Sequence, residues 1–168
     1  LYLNKGRKCG DFLIYSNLGR KCSDFLIYLD RRSHQNGRNS MLAAGMTGYG
    51  ERSVTKELTA EQRKSGTLQV FATPAMIELI EETAWKSVAG ELENGCVTVG
   101  TSLNVKHLAA TPVGMKAVCR TKLLTVDGRR LVFEVEVEDE VQKIGEGTHE
   151  RFVVQAEKFQ AKADAKLK

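Results

Sequence analysis

"ATPAMIELIEETAWKSVAGELENGCVTVGTSLNVKH" (72–107) changes its period half-way along. In its first part Ile77, Ile80, Ala84 and Val88 recur at helical spacing. Thr73 is placed to cap this helix, Pro74 suits its first position, where the missing N–H is not needed, and Gly90 lies near its far end. After Gly95 the period becomes two. Val97, Val99, Thr101, Leu103 and Val105 alternate with Thr98, Gly100, Ser102, Asn104 and Lys106, the pattern of a half-buried strand.

The same alternation continues downstream. "MKAVCRTKLLTV" (115–126) and "RRLVFEVEVEDE" (129–140) read as strands joined through Asp127-Gly128, a hairpin signal. In the second of them Phe133, Val135 and Val137 face one way, and Glu134, Glu136 and Glu138 the other. "KIGEGTHERFVVQ" (143–155) reads as a further strand, in which Gly145 and Gly147 imply a bulge or a close backbone approach. Upstream of the helix, "ERSVTKEL" (51–58) reads as a first strand and "TAEQRKSG" (59–66) as a polar connector; "AEKFQAKADAKLK" closes the chain as a polar helical tail. One long helix followed by four consecutive antiparallel strands predicts an α+β domain whose sheet covers the helix. The edges of such a sheet call for a second copy, so a homodimer is expected, and a tetramer of dimers is compatible with it.

The 168 residues suffice for one domain with a proper core, and no apolar run approaches a membrane span. The net charge of +4 is unevenly placed: residues 1–40 hold eight Lys/Arg against three Asp, and residues 41–168 hold 17 against 18 Asp/Glu. The second part therefore gives no electrostatic case for nucleic acid. Cys9, Cys22, Cys96 and Cys119 show no CxxC spacing, which fits a reduced, cytoplasmic protein with no metal centre.

Within the basic part, "GRKCGDFLIY" (6–15) returns as "GRKCSDFLIY" (19–28), followed by the linker "RRSHQNGRNS". A single short pair is no solenoid, and no secretory h-region with a small-residue cleavage site is visible there. With Met41 as a natural start, residues 1–40 are expected to be a non-native or disordered extension, and 41–168 the domain.

Two ionisable groups occupy apolar positions. Glu81 falls in the helix stripe four residues after Ile77, whereas Glu78 and Glu82 fall off it, Glu82 within reach of Lys86. His107 shares the parity of Val97, Val99, Leu103 and Val105 and, unless a bulge intervenes, points to the same side as these residues. A carboxylate and an imidazole facing one core form an acid–base pair. His149, beside Glu150 and Arg151 in "GTHERF", reads as structural, and His34 lies in the linker.

Residues 41–168 resemble the hotdog-fold acyl-CoA thioesterases of the fluoroacetyl-CoA thioesterase-like family. The resemblance rests on "VFATPAMIELIEETA", "VGTSLNVKHLAATPVG", "VDGRRLVFEVEVEDEVQKIGEGTHERFVV" and the closing "EKF". It implies a sheet wrapped round a central helix, with two subunits forming the active sites. It implies Thr73, Glu81 and His107 as catalytic residues, Gly100 lining the thioester site with Phe71 as a further substrate contact, and acyl-CoA as substrate with no separate cofactor. The fluoroacetyl-specific member carries phenylalanines just ahead of its helix; "EQRKSGTLQ" (61–69) has no aromatic residue, so the resemblance implies thioesterase chemistry here without that specificity.

Thr73 and Glu81, eight residues apart on a helix, are separated by about 12 Å along its axis. Each active site is therefore expected to take Thr73 from one subunit and Glu81 from the other. His107 is the expected proton carrier. Glu81 either orients and charges the imidazole or attacks the carbonyl to give an anhydride; Thr73 positions water, acts as nucleophile or caps the helix. The competing readings are a non-catalytic acyl-CoA-binding module and an enoyl-CoA hydratase, the latter without its Asp/His motif in this chain.

Overall fold

The computed structural model describes residues 42–167. The doubled segment, its linker, His34, Cys9 and Cys22 lie outside the described residues. The elements run β1 (Thr47–Ser53), a short 3-10 turn (Lys56–Leu58), α1 (Thr73–Ala89), β2 (Cys96–His107), β3 (Lys116–Asp127), β4 (Arg130–Glu138), β5 (Lys143–Gln155) and α2 (Ala156–Asp164). All five strands form one antiparallel sheet in the order β1-β3-β4-β5-β2, so β2 and the shorter β1 are its edges. One face of this sheet takes up α1.

The alternation of β4 is the reason that face is apolar. Phe133, Val135 and Val137 are completely buried, and Ala117, Cys119 and Leu123 of β3 join them against Met76, Leu79, Ile80, Ala84 and Val88 of α1. Each large apolar side chain so covered contributes about 1.5–3 kcal/mol. Burial pushes the Cys119 thiol up to about 11, so it behaves as a small hydrophobe. The opposite face carries the glutamates of β4 among cations: Arg120 pairs with Glu138, and Lys143 with Glu136 and Glu146.

Four expectations change. The first strand is Thr47–Ser53 rather than 51–58: it pairs with Lys116–Lys122 of β3, and after Ser53 the chain leaves the sheet through the 3-10 turn. Pairing with β3 overrides the weak strand preference of "TGYG". The helix begins one residue earlier than the capping pattern implies, with Ala72 as N-cap and no side-chain cap bond, so Thr73 does not cap it. The buried stripe of α1 is rotated toward Met76, Leu79 and Thr83, which leaves Ile77 and Glu81 partly covered at its border.

The fourth change matters most for function. The β2–β5 register shifts between Gly100 and Ser102, leaving Thr101 as an extra residue. Before this bulge Thr98 and Gly100 face the helix side; after it Leu103, Val105 and His107 do. Val97 and Val99 therefore do not share a face with His107, and Val97 is 42% exposed. The extra residue exchanges the two faces, as a bulge does.

Opposite β2, the expected close approach at Gly147 is present. Its φ is +156°, and a Cβ there would sit 2.1 Å from the Asn104 carbonyl oxygen of β2. Since backbone cannot swing aside, Gly147→Ala should loosen the β2–β5 ladder. Chemical denaturation should show a loss of about 2 kcal/mol or more; an unchanged midpoint would show that the strands can separate there at no cost.

Candidate active site

The sequence singles out five residues, and the fold gathers four of them into two pairs. At the start of α1, the Thr73 hydroxyl lies 2.8 Å from Nδ1 of His107 at the end of β2. Released from capping, this hydroxyl has the imidazole as its partner. The far ring nitrogen, Nε2 of His107, is buried with no hydrogen-bond partner among the described residues. Burial lowers the His107 pKa, with the Ala109 backbone opposing. A neutral ring with an unused nitrogen is in the state a general base requires.

The segments holding this pair are tied together through Thr111. Its carbonyl accepts the Phe71 N–H at 2.8 Å, and its hydroxyl donates to Asp139 Oδ2 at 2.9 Å. The other oxygen of Asp139 accepts the N–H groups of Val141 and Gln142. Thus the loop after His107, the residues before α1 and the β4–β5 turn share one anchor. Phe71 itself is 1% exposed; its side chain belongs to the core behind the first turn of α1.

The second pair lies two helical turns further on. A Cβ built on Gly100 would fall 2.4 Å from Oε1 of Glu81, closer than any side chain permits. Only glycine lets the carboxylate settle against β2 at this point. Glu81 thus faces Gly100 and, behind it, His149 and Arg151; burial lowers the pKa of both, and the Glu81 carboxylate opposes that shift. Its neighbours do other work: Glu82 is held by Arg52 and Lys86, and Glu78 by Arg63 at 2.9 Å. The 61–69 stretch is exposed loop, fastened to the helix by that Arg63–Glu78 pair.

Within one chain, then, Thr73 meets His107 and Glu81 meets Gly100. What the sequence reading missed is the bulge that turns Gly100 inward, and the buried His149–Arg151 contact beside it. The polar run "GTHERF" within a buried strand was the available signal for the latter.

A family model described as fluoroacetyl-CoA-specific thioesterase matches residues 54–157, which contain both pairs. The chain belongs to this family. It is 44% identical over 98 residues to the fluoroacetyl-CoA thioesterase of Streptantibioticus cattleyicolor, covering 58% of this chain and 70% of that one. A solved structure of the fluoroacetyl-CoA thioesterase FlK superposes with a TM-score of 0.71 at 35% identity, over 74% of this chain and 97% of the other. A hot-dog-like protein from Thermanaerovibrio acidaminovorans gives 0.68 at 22% identity, over 74% and 93%, and speaks for the fold alone. The α+β hotdog fold expected from the sequence is therefore present, and the chain is a thioesterase.

The contact at Gly100 supplies a test that separates activity from stability. In Gly100→Ala the atom that must move furthest is the tip of a flexible glutamate, and the His149 ring at 3.3 Å has to give by only a few tenths of an ångström, so the unfolding midpoint should fall little. Glu81 must swing off its seat, and turnover should fall by about tenfold or more. A Gly100→Ala protein with parent turnover would remove this seat from the chemistry.

Proposed function

We propose that this thioesterase hydrolyses a small acyl-CoA to the free acid and coenzyme A, at two sites built across a homodimer. The observation that carries the reading is the 2.8 Å Thr73–His107 contact with His107 Nε2 left unused. The Thr73 oxygen accepts Nδ1–H and so fixes the tautomer, leaving the Nε2 lone pair for a water molecule. Water adds to the thioester carbonyl carbon and gives its proton to Nε2. The C–S bond then breaks, and the imidazolium returns the proton to the departing thiolate. A backbone N–H beside Gly100, or the uncapped first turn of α1, faces the charge that develops on the carbonyl oxygen.

Glu81 enters from the partner subunit. About 12 Å of helix separates it from Thr73 in its own chain. β2 is a free sheet edge, and a two-fold axis beside Leu103 and Asn104 would pair two such edges antiparallel. Gly100 of one protomer then stands opposite the partner's His107, which brings the Glu81–Gly100 pair of one chain to the Thr73–His107 pair of the other. There the carboxylate stabilises the imidazolium. The reaction calls for water and acyl-CoA and no further cofactor, in a reduced, cytoplasmic setting. No helix among the described residues is long and apolar enough to cross a membrane.

Thiol release from short, branched and aromatic acyl-CoAs should give turnover for at least one ester. Glu81→Gln and His107→Ala should each lower kcat by about tenfold or more. Acyl-CoA that raises the thermal midpoint yet survives incubation would favour the binding-module reading instead. Mixing inactive subunits tests the shared site: a heterodimer of Thr73→Ala with Glu81→Gln has one doubly damaged site and one intact one. In the heterodimer isolated from such a mixture, activity should return to about half the parent's; no return would place all three residues in one chain's site.

The pH dependence follows from His107. Because burial lowers its pKa, the neutral base persists to lower pH than for a free imidazole. The acid limb of kcat/KM should therefore fall below about 6.5, the ordinary histidine value. An acid limb above that value would assign the base to another group.

A further inference from the structure

Neither the core nor the hydrolysis makes use of α2. The helix follows β5 directly and is fastened at its start, where the Ala156 N–H donates to the Gly95 carbonyl at 3.0 Å. None of its nine residues is buried. A helix of that length is marginal in water unless it lies against something. Its Phe159 is nevertheless 48% exposed, and Ala163, one turn on, extends the same side. About a quarter-turn round the axis stands a second row, Lys158 and Lys162, which Lys166 prolongs into a closing 3-10 turn (Ala165–Leu167).

No ion pair among the described residues includes any of these three lysines. Asp164, on the same helix, accepts from Gln160 at 2.7 Å instead. The cations Lys116, Arg120, Arg130 and Lys143 of the sheet, by contrast, are each held by a glutamate. The positive charge of α2 is therefore uncommitted.

The place where α2 leaves the sheet gives both rows a use. Cys96 pairs with Gln155, so the helix starts at the Cys96 end of β2. Where two β2 edges pair antiparallel, that end of one chain runs out beside the partner's His107 and the loop that follows it. From Leu108 to Gly114 that loop has no charged residue, and its Leu108 and Val113 are exposed. Cys96 is four residues, about 13 Å, back along the strand from Gly100. Acyl-CoA is extended in the same way: a long pantetheine arm separates its thioester from the phosphates of its nucleotide end.

We propose that α2 of each chain anchors the coenzyme A phosphates at the partner's active site, with Phe159 lying against the partner's Leu108 and Val113, and Lys158 and Lys162 meeting the phosphates. The proposal rests on the β2-edge dimer and its shared site. Ammonium groups free of carboxylates suit phosphate oxygens, which accept charge-assisted hydrogen bonds. An anchor so far from the carbonyl binds ground state and transition state alike, so its loss shows in KM and not in kcat.

Two thioesters of one acyl group test it, one on coenzyme A and one on pantetheine, which lacks the nucleotide phosphates. Lys158→Gln/Lys162→Gln in the full chain should raise KM for the coenzyme A ester by about tenfold, with kcat held within about twofold. A parent KM for that ester, or an equal rise for the pantetheine ester, overturns the anchor. The isolated heterodimer of this double variant with His107→Ala decides which chain supplies it. Its one working His107 lies on the lysine variant and faces the unaltered α2 of its partner, so KM for the coenzyme A ester should be the parent's. A raised KM there places the lysines in their own chain's site and overturns the proposal. If the chain sediments as a monomer, the shared-site reading fails and the anchor with it. If it is a dimer with shared sites and the lysine variant keeps parent KM, the anchor alone fails.

Discussion

Gly100 and His107 are seven residues apart, and in a regular strand that spacing turns them to opposite faces. Both nevertheless meet α1, His107 through the hydroxyl of Thr73 and Gly100 through the carboxylate of Glu81. The extra residue Thr101 makes this possible, and both contacts of β2 with α1 depend on it. Without the bulge, either the imidazole or the glycine would look outward among the ion pairs of the other sheet face. Polar chemistry is thus brought to the border of an apolar core while the core packing along β3 and β4 stays regular.

Much of this was legible beforehand because the signals were periodic. The switch from helical spacing to alternation near Gly95 located α1 and β2, and the Phe133/Val135/Val137 alternation located the core face of β4. Residues with two possible uses were not legible. Thr73 has the composition of a cap, and only the proximity of His107, 34 residues away, gives its hydroxyl a different partner. The stripe on α1 was read through Ile77 and Glu81, but Met76, Leu79 and Thr83 supply an overlapping stripe, and tertiary packing chose between them. A bulge is still less visible, since one added residue leaves the composition of a strand unaltered. It shows only when the facing strand is known, here by the partners of Gly100 and Ser102 on β5.

The two halves of the site are stabilised by different means. Around His107 the supports are hydrogen bonds between loops: Thr111 joins the loop to the chain ahead of α1, with Asp139 locking the turn behind it. Around Gly100 they are charged and buried, and the guanidinium of Arg151 spends all three of its nitrogens on the strand and on His149. The first pins the chain on either side of the imidazole; the second ties β5 to β2 on both sides of the bulge.

The irregularity of β2 also bears on which chains can associate with it. A free sheet edge twelve residues long invites any extended strand, and such edges are a common route to aggregation. A regular strand laid along β2 falls out of step at Thr101, because its amides no longer meet carbonyls on both sides of that point. A second copy paired about Leu103 and Asn104 would set the regular run 102–105 of each chain against the other, between the two interruptions. The residue that shapes the interior thereby also acts as a filter against foreign strands.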